Sequence, residues 1–274
     1  MIKFRPQFEF LLVYTVTLGL LALILAPMIV VILGSFLNMG LLGITSDQWS
    51  AARHQLVSLD AFTYLFSVYW EWMLFSMELA LLSVILCVIV AVPAGYALVQ
   101  HPFRGSRLIE ELLILPLSLP GIAMSIALIA AYNTVRGRWL VLGGHFLYTM
   151  PFMVRVVTGT LRSFDVTLLE AAAQTLGAGF WQRMWHVILP HLRHSLVLGS
   201  LLVFAVSWGE FNVSYLLNAG HPQTFPAAVF NTYANESFQR SSAATVIFLA
   251  VVIPIVIAIQ WLGGKSSVDV EQGA

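Results

Sequence analysis

The sequence predicts an all-α, polytopic membrane protein with six transmembrane helices, and three observations carry that prediction. Charge is scarce, with 13 basic and 13 acidic residues among 274, or 9% of the chain, where a soluble domain carries about 25%. Hydrophobic residues make up 59% and the mean hydropathy is +0.87. The apolar residues also gather into long continuous runs, each close to the roughly 20 residues a helix needs to cross a bilayer core. Such runs argue against a transmembrane β-barrel, whose strands alternate over about ten residues. So few charges cannot give a soluble surface to a globule of this size. That excludes an ordinary cytosolic enzyme, a disordered chain and a secreted disulfide scaffold. The net charge of +0 speaks against a nucleic-acid binder, which shows a basic excess. The single cysteine, Cys87, lies in LLSVILCVIVAV; it can form no internal disulfide and reads as a small buried hydrophobe.

Taken in order, the first run extends from Leu11 to Leu37, interrupted by Pro27 and Gly34. It is too long for a signal-peptide core and no clean cleavage site follows, so it is expected to stay as a first span. The second runs from about Leu74 to Val99 and the third from about Leu112 to Ala131, with Pro116 and Pro120 inside it. The fourth runs from about Leu140 to Val157, the fifth from about Ser195 to Leu217 and the sixth from about Ala243 to Gly263. Pro93, Pro116, Pro120 and Pro254 lie in or near spans; kinks in packed helices are the ordinary explanation, and hinges are the alternative. Basic residues orient the chain. With both termini cytoplasmic, the inside segments hold Lys3, Arg5, Arg104, Arg107, Arg155, Arg162, Arg183, Arg193 and Lys265, and the outside ones hold Arg53, Arg136, Arg138 and Arg240. The Arg136–Arg138 pair, in a short external connection, is the dissenting observation.

Three segments are polar enough to leave the lipid. Residues 38–73, outside, carry Trp49, Phe62, Tyr64, Phe66, Tyr69, Trp70 and Trp72, either as an interfacial aromatic belt or as a docking surface. Residues 218–242, also outside, hold Pro222, Pro226 and Glu236. Residues 158–194, inside, read TGTLRSFDVTLLEAAAQTLGAGFWQRMWHVILPHLRH and are long for a plain connector. Asp165 is placed to cap a helix over 165–176, which Gly177 and Gly179 interrupt. Phe180, Trp181, Met184, Trp185, Val187 and Ile188 then recur at helical spacing, with Gln182, Arg183 and His186 on the other face, and Pro190 is expected to end this amphipathic helix. The chain divides into an N-terminal span with its external segment (1–73), a five-helix core (74–264) that contains this loop, and a tail (265–274).

That loop resembles the cytoplasmic Glu-Ala-Ala loop of the permease subunits of bacterial binding-protein-dependent ABC importers, the MetI-like family. The family pattern is Glu-Ala-Ala, three residues, Gly, nine residues, Ile, one residue, Leu-Pro. Here Gly177 is followed at the matching spacing by Val187, Ile188, Leu189 and Pro190. Upstream, Glu170-Ala171-Ala172 lies one residue too far from Gly177, so that Ala171-Ala172-Ala173 occupies the Glu-Ala-Ala place. Either the glutamate of the pattern is substituted, with a second acidic residue just before it, or the helix has one added residue. The resemblance covers about Ser76 to Gly263, and the phrase FDVTLLEAAAQTLGA looks most like permeases of polyamine, ferric-iron and aminophosphonate importers. It implies a pore of two permease subunits, the second one a related chain, in the bacterial inner membrane. Two ATP-binding cassette subunits would sit beneath it and carry the ATP and magnesium, and a periplasmic binding protein would deliver the solute. The loop would insert into a groove on the ATPase and convert its closure into alternating access. No Gly-x-x-x-x-Gly-Lys-[Ser/Thr] occurs, so ATP hydrolysis by this chain is not expected.

The resemblance makes Glu170, Ala171, Ala172, Gly177, Trp181, Arg183, Leu189 and Pro190 the candidates for coupling to the ATPase. Gly177 suits a joint because glycine adopts a left-handed backbone at little cost; an ordinary helix C-cap is the plainer reading, and the two are compatible. Glu210 is expected in the outer half of the fifth span, where a charge costs about 2.5 kcal/mol or more unless it faces protein or water. With Trp208 and Asn212 it is a candidate for the solute path, contacting a cationic or amino-bearing group; an interhelical or interfacial contact is the alternative. Glu78, near the outer end of the second span, reads as interfacial. His186, His191 and His194 do not share a helical face, and no metal site or paired-carboxylate catalytic arrangement is expected. The alternative function is a secondary transporter driven by an ion gradient, which predicts an inverted repeat with two interrupted helices; no such repeat is evident.

Overall fold

A computed structural model describes residues 6–37, 57–135, 137–164, 166–218, 220 and 222–272. Lys3, Arg5, Trp49, Arg53, Arg136 and the proposed cap Asp165 lie outside the described residues, as does the side chain of Lys265. The helices are α1 (Pro6–Phe36), α2 (Asp60–Gln100), α3 (Ser106–Ser118), α4 (Gly121–Ala131), α5 (Arg138–Ser163), α6 (Val166–Thr175), α7 (Phe180–Arg183), α8 (Leu189–Trp208), α9 (Asn212–Leu217), α10 (Phe225–Asn235) and α11 (Phe238–Gln272). A π-helical turn, Met184–Ile188, joins α7 to α8 without a break.

Among the described residues, five helical stretches are long and apolar enough to cross a membrane: α1, α2, α5, the run Phe180–Trp208, and α11. The pair α3 and α4, bent by 108°, passes the same test only when taken together, and makes a sixth span if the two count as one crossing. The third apolar run is therefore two helices and not one kinked helix. Leu119, preceding a proline, is extended (φ −86°, ψ 138°), because the Pro120 ring disfavours helical backbone at the residue before it. The fifth run is also divided, between α8 and α9. Pro93 and Pro254, by contrast, are carried inside α2 and α11.

Two of the segments expected to lie outside the lipid are more helical than expected. α2 begins at Asp60, well before Leu74; the Ser58 hydroxyl accepts the Asp60 N–H at 2.9 Å. Tyr69 and Trp72 on its first turns are buried, while Phe66 and Trp70 are exposed. The segment 218–242 contains α10, with Phe225, Ala228 and Thr232 fully buried.

The described residues form two compact units. One draws on Met1–Val68 and Val229–Leu249, the other on Tyr69–Ala228 and Ala250–Ala274. In the first, Ser58 N–H donates to the Phe36 carbonyl at 3.0 Å and the rings of Phe36 and Phe62 lie 5.2 Å apart. In the second, one apolar cluster joins α2 (Cys87, Ala91, Tyr96), α5 (Met153, Val157, Leu161), α6 (Val166), the π turn (Met184, Ile188) and α8 (Leu192, Val203). Cys87 is buried and free, as expected. Small residues set the helix spacing: a Cβ on Gly199 would lie 2.8 Å from the Met153 sulfur, and one on Gly95 2.7 Å from Val157. Where lipid gives no hydrophobic drive between helices, such close approach supplies the packing energy.

Candidate functional site

At the end of the bundle where α5 leads into α6, Glu170 is 7% exposed. Its carboxylate accepts the Tyr96 hydroxyl at 2.9 and 3.0 Å, Gln100 Nε2 at 3.0 Å and Arg183 Nε at 3.3 Å. Arg183 also donates to the Ala178 carbonyl at 3.2 Å, and Thr167 to Gln100 Oε1 at 3.2 Å. A buried carboxylate is tolerated when charge and hydrogen bonds are supplied together, and here α2, α6 and α7 each supply part. α6 is a regular ten-residue helix. Glu170 lies seven residues before Gly177, two turns along the same face, while Ala171 and Ala172 are exposed. The carboxylate therefore reaches the interior despite the one-residue offset.

Two residues past the end of α6 comes Gly177, which has φ +83°. Gly177 N–H donates to the Gln174 carbonyl at 2.9 Å and Ala178 N–H to the Ala173 carbonyl at 3.0 Å, the paired bonds of a Schellman motif. A Cβ there would touch nothing within 4 Å, so the backbone angle, and not space, selects glycine. The backbone here is that of the helix C-cap, the plainer of the two readings of Gly177.

Two details differ from the sequence expectation. The apolar residues of α7 and the π turn divide between faces: Met184 and Ile188 are buried, whereas Trp181 is 70% and Trp185 64% exposed; Leu176, after α6, is 88% exposed. Arg183 turns inward and is not on a solvent face, because Glu170 draws it there. Pro190, in turn, does not end the helix. Leu189 N–H bonds the Met184 carbonyl, five residues back, and this wider turn accommodates the ring that would otherwise clash with the carbonyl four residues earlier. Leu189 is half-buried, and its packing joins it to the core cluster. Beside Gly177, a groove of about 390 Å³ is lined by Leu176, Ala178, Gln182, His186 and Val187. Of the exposed large apolar side chains here, Leu176 lines this groove.

The second candidate region is the break at 209–211. Glu210 is not on a continuous helix; it lies between α8 and α9, 8% exposed. A new helix start leaves backbone N–H groups without intrahelical partners, and Glu210 Oε1 accepts one of them, from Val213, at 2.8 Å. Its own carbonyl accepts the Ser214 hydroxyl at 3.0 Å. α9 seats against two glycines: a Cβ on Gly121 of α4 would lie 2.8 Å from Asn212 Cβ, and one on Gly144 of α5 2.6 Å from Val213 Cγ1. Trp208 is 1% exposed, stacked with Phe204 and tilted against Phe225. Of the three path candidates, only Asn212 is exposed.

His145 of α5, fully buried, joins the two sides of the break. Its Nδ1 lies 2.7 Å from Ser207 Oγ on α8 and its Nε2 2.6 Å from Ser214 Oγ on α9. With the ring proton on Nε2, Ser214 accepts from the ring and donates to the Glu210 carbonyl, which satisfies the set. The sequence reading passed over His145, Tyr96 and Gln100. An ionisable residue within a span was the available signal for His145; nothing local marks the other two. Elsewhere, Glu78 pairs with Arg138 at 2.6 Å, which neutralises one of the two arginines that dissented from the charge asymmetry. Among the described residues, no three His, Cys, Asp or Glu side chains converge as metal ligands.

Residues 83–266 match the family described as "Binding-protein-dependent transport system inner membrane component". The chain is 25% identical over 232 residues to PhnV of Salmonella choleraesuis (strain SC-B67), named for a 2-aminoethylphosphonate transport system; the match covers 80% of this chain and 86% of PhnV. It is 27% identical over 188 residues to the spermidine/putrescine transport system permease protein PotC of Escherichia coli (strain K12), covering 68% and 71%. An inward-facing structure of the MetNI methionine ABC transporter superposes with a TM-score of 0.61 at 18% identity, covering 75% of this chain and 97% of that one, which establishes the likeness of fold.

Proposed function

Since the chain belongs to the family of binding-protein-dependent transport system inner membrane components, the permease subunits of ABC importers, we propose that it forms half of a pore whose 166–190 segment engages an ATP-binding cassette subunit. A related permease chain completes the pore, and a periplasmic binding protein delivers a small polar solute, a polyamine, an aminophosphonate or similar. ATP and magnesium belong to the ATPase. Both termini face the cytoplasm of a bacterial inner membrane. The observation that carries this reading is the exposed Leu176–Trp181–Trp185 surface standing on a joint tied through Glu170 to α2. Closure of the ATPase against that surface would move α7, the π turn and α8 as one continuous helix, and so reach the break at 209–211. Glu210 and Asn212, at that break, are the proposed solute contacts, and the buried Trp208 is placed to shape the wall behind them.

The test is copurification followed by ATP hydrolysis. The full complex should contain a nucleotide-binding chain, and loaded binding protein should stimulate hydrolysis. Trp181→Ala should weaken ATPase capture by roughly 2 kcal/mol or more, the cost of a truncated interface anchor, while leaving the protein in the membrane. A complex without a nucleotide-binding chain, or uptake indifferent to ATP, would overturn the reading.

A further inference from the structure

We infer that the cleft between α3 and α5, beside the entry to α6, is a binding site for a tetrahedral oxyanion of the phosphate or phosphonate class. The cleft has a volume of about 380 Å³. Arg155, Thr158, Gly159 and Arg162 line it from α5, at spacings of three and four residues that place them on one helical face. Glu110 and Leu113 line it from α3.

The donors are the two guanidinium groups. Thr158 has already given its proton to the Val154 carbonyl, at 2.9 Å. Arg162 engages the Glu110 carboxylate through Nη2 alone, which leaves other N–H groups of its five-donor fork. The Arg155 guanidinium has no ion pair or hydrogen bond among the described residues and is exposed. A Cβ at Gly159 would meet nothing within 4 Å, so the space between the two arginines is open down to the backbone. Two cations facing one carboxylate leave the cleft net positive, and an apolar wall at Leu113 lowers the local dielectric and strengthens that field. Arginine matches phosphate-type oxygens bidentately. A polyamine would be repelled. Read as the solute's way out of the pore, the cleft rests on the permease proposal above and narrows its solute to one bearing an oxyanion; read as an oxyanion site, it stands on these residues alone. A free oxyanion and a phospholipid headgroup share the chemistry.

The purified complex, in nanodiscs of phosphatidylcholine without nucleotide, is titrated with inorganic phosphate and with methylphosphonate, and binding is followed by ³¹P line broadening. We expect saturable binding, weakened at least about tenfold by Arg155→Gln, as fits loss of a charge-assisted contact, and less by Arg155→Lys. Glu110→Gln, which releases Arg162, should tighten binding severalfold, and putrescine should not compete. In nanodiscs containing phosphatidylglycerol, loss of phosphate binding identifies a lipid headgroup as the occupant, and retention identifies a free anion. Two results overturn the site. One is absence of saturable binding together with phosphatidylglycerol retention that does not depend on Arg155; the other is competition by putrescine. Binding without ATP-driven uptake would sink the permease reading and leave the cleft standing, whereas uptake without binding would sink the cleft alone.

Discussion

Glu170 and Glu210 are both buried carboxylates, yet they bond in different directions. Glu170 accepts from Tyr96, 74 residues away, from Gln100, and from Arg183 across the Gly177 joint. Glu210 accepts from Val213, three residues on. The first links separate helices, so its interaction energy fixes where the exposed Trp181 surface stands relative to α2. The second satisfies a donor that its own helix break exposes, so its energy fixes local shape. A long-range tie can transmit displacement, whereas a local cap holds a geometry ready for what passes by it.

The largest expected effect breaks that comparison at its long-range side. Glu170→Ala leaves Arg183 without its partner and should destabilise by about 3 kcal/mol, the low end for a buried pair, because the Arg183 side chain keeps 16% exposure. Thermal unfolding of the purified complex reads the stability. Hydrolysis stimulated by binding protein reads the coupling, and it should fall at least about tenfold. A double-mutant cycle with Arg183→Met should return a coupling energy of about 1 kcal/mol or more. Glu210→Gln keeps an oxygen for the Val213 N–H and should cost under about 1 kcal/mol, while uptake falls if the carboxylate meets solute. If Glu170→Ala kept its stimulation and Glu210→Gln lost it, the roles assigned to the two carboxylates would be reversed.

The Gly177 joint comes next. Its φ of +83° costs an ordinary L residue about 1–2 kcal/mol, and its surroundings are open, so Gly177→Ala should destabilise by about that much, with Gly177→Asn affected less. Gly177→Pro and Gly177→Asp should leave the chain in the membrane and abolish stimulated hydrolysis. Normal stimulation in Gly177→Pro would mean that the Glu170 tie positions the docking surface without the joint.

What the sequence made legible follows the same division between local and distant causes. Membrane spans are set by length and hydropathy, so the approximate places of the long apolar helices could be read directly. Gly177 was legible because a single residue type marks a left-handed backbone. The break at 209–211 was not, since it depends on Glu210 folding back as a cap and on His145 bridging Ser207 and Ser214. Pro190 misled because the rule that proline ends a helix assumes a four-residue turn, and here the turn is wider. The inward turn of Arg183 follows from the buried Glu170, which Tyr96 and Gln100 of α2 hold in place, and no spacing within the loop shows those two. The early start of α2 was hidden because aromatic residues suit an interfacial belt and a helix equally well.

A third carboxylate offers a more solvated reference for the other two, and the smallest expected effect. Glu236 accepts from Arg240 Nη1 at 2.6 Å and from the Tyr64 hydroxyl at 2.9 Å, and the Arg240 guanidinium lies 3.7 Å over the Tyr64 ring. The Arg240 hydrogen bond first, and the Tyr64 bond second, hold the Glu236 carboxyl below its ordinary value of 4.5. A depressed folded value means the contribution is present above that ordinary value and is lost as pH falls through the folded one. Arg240 is 39% and Glu236 21% exposed, so the pair should be worth less than about 1 kcal/mol and be screened by salt. Glu236→Gln should therefore lower thermal stability slightly at neutral pH and low salt, with the difference vanishing in acid and in high salt. The Glu170→Ala penalty, arising from a pair shielded from solvent, should survive high salt. A Glu236 penalty that survived high salt equally well would remove the distinction between a solvated clamp and the buried tie on which the coupling argument depends.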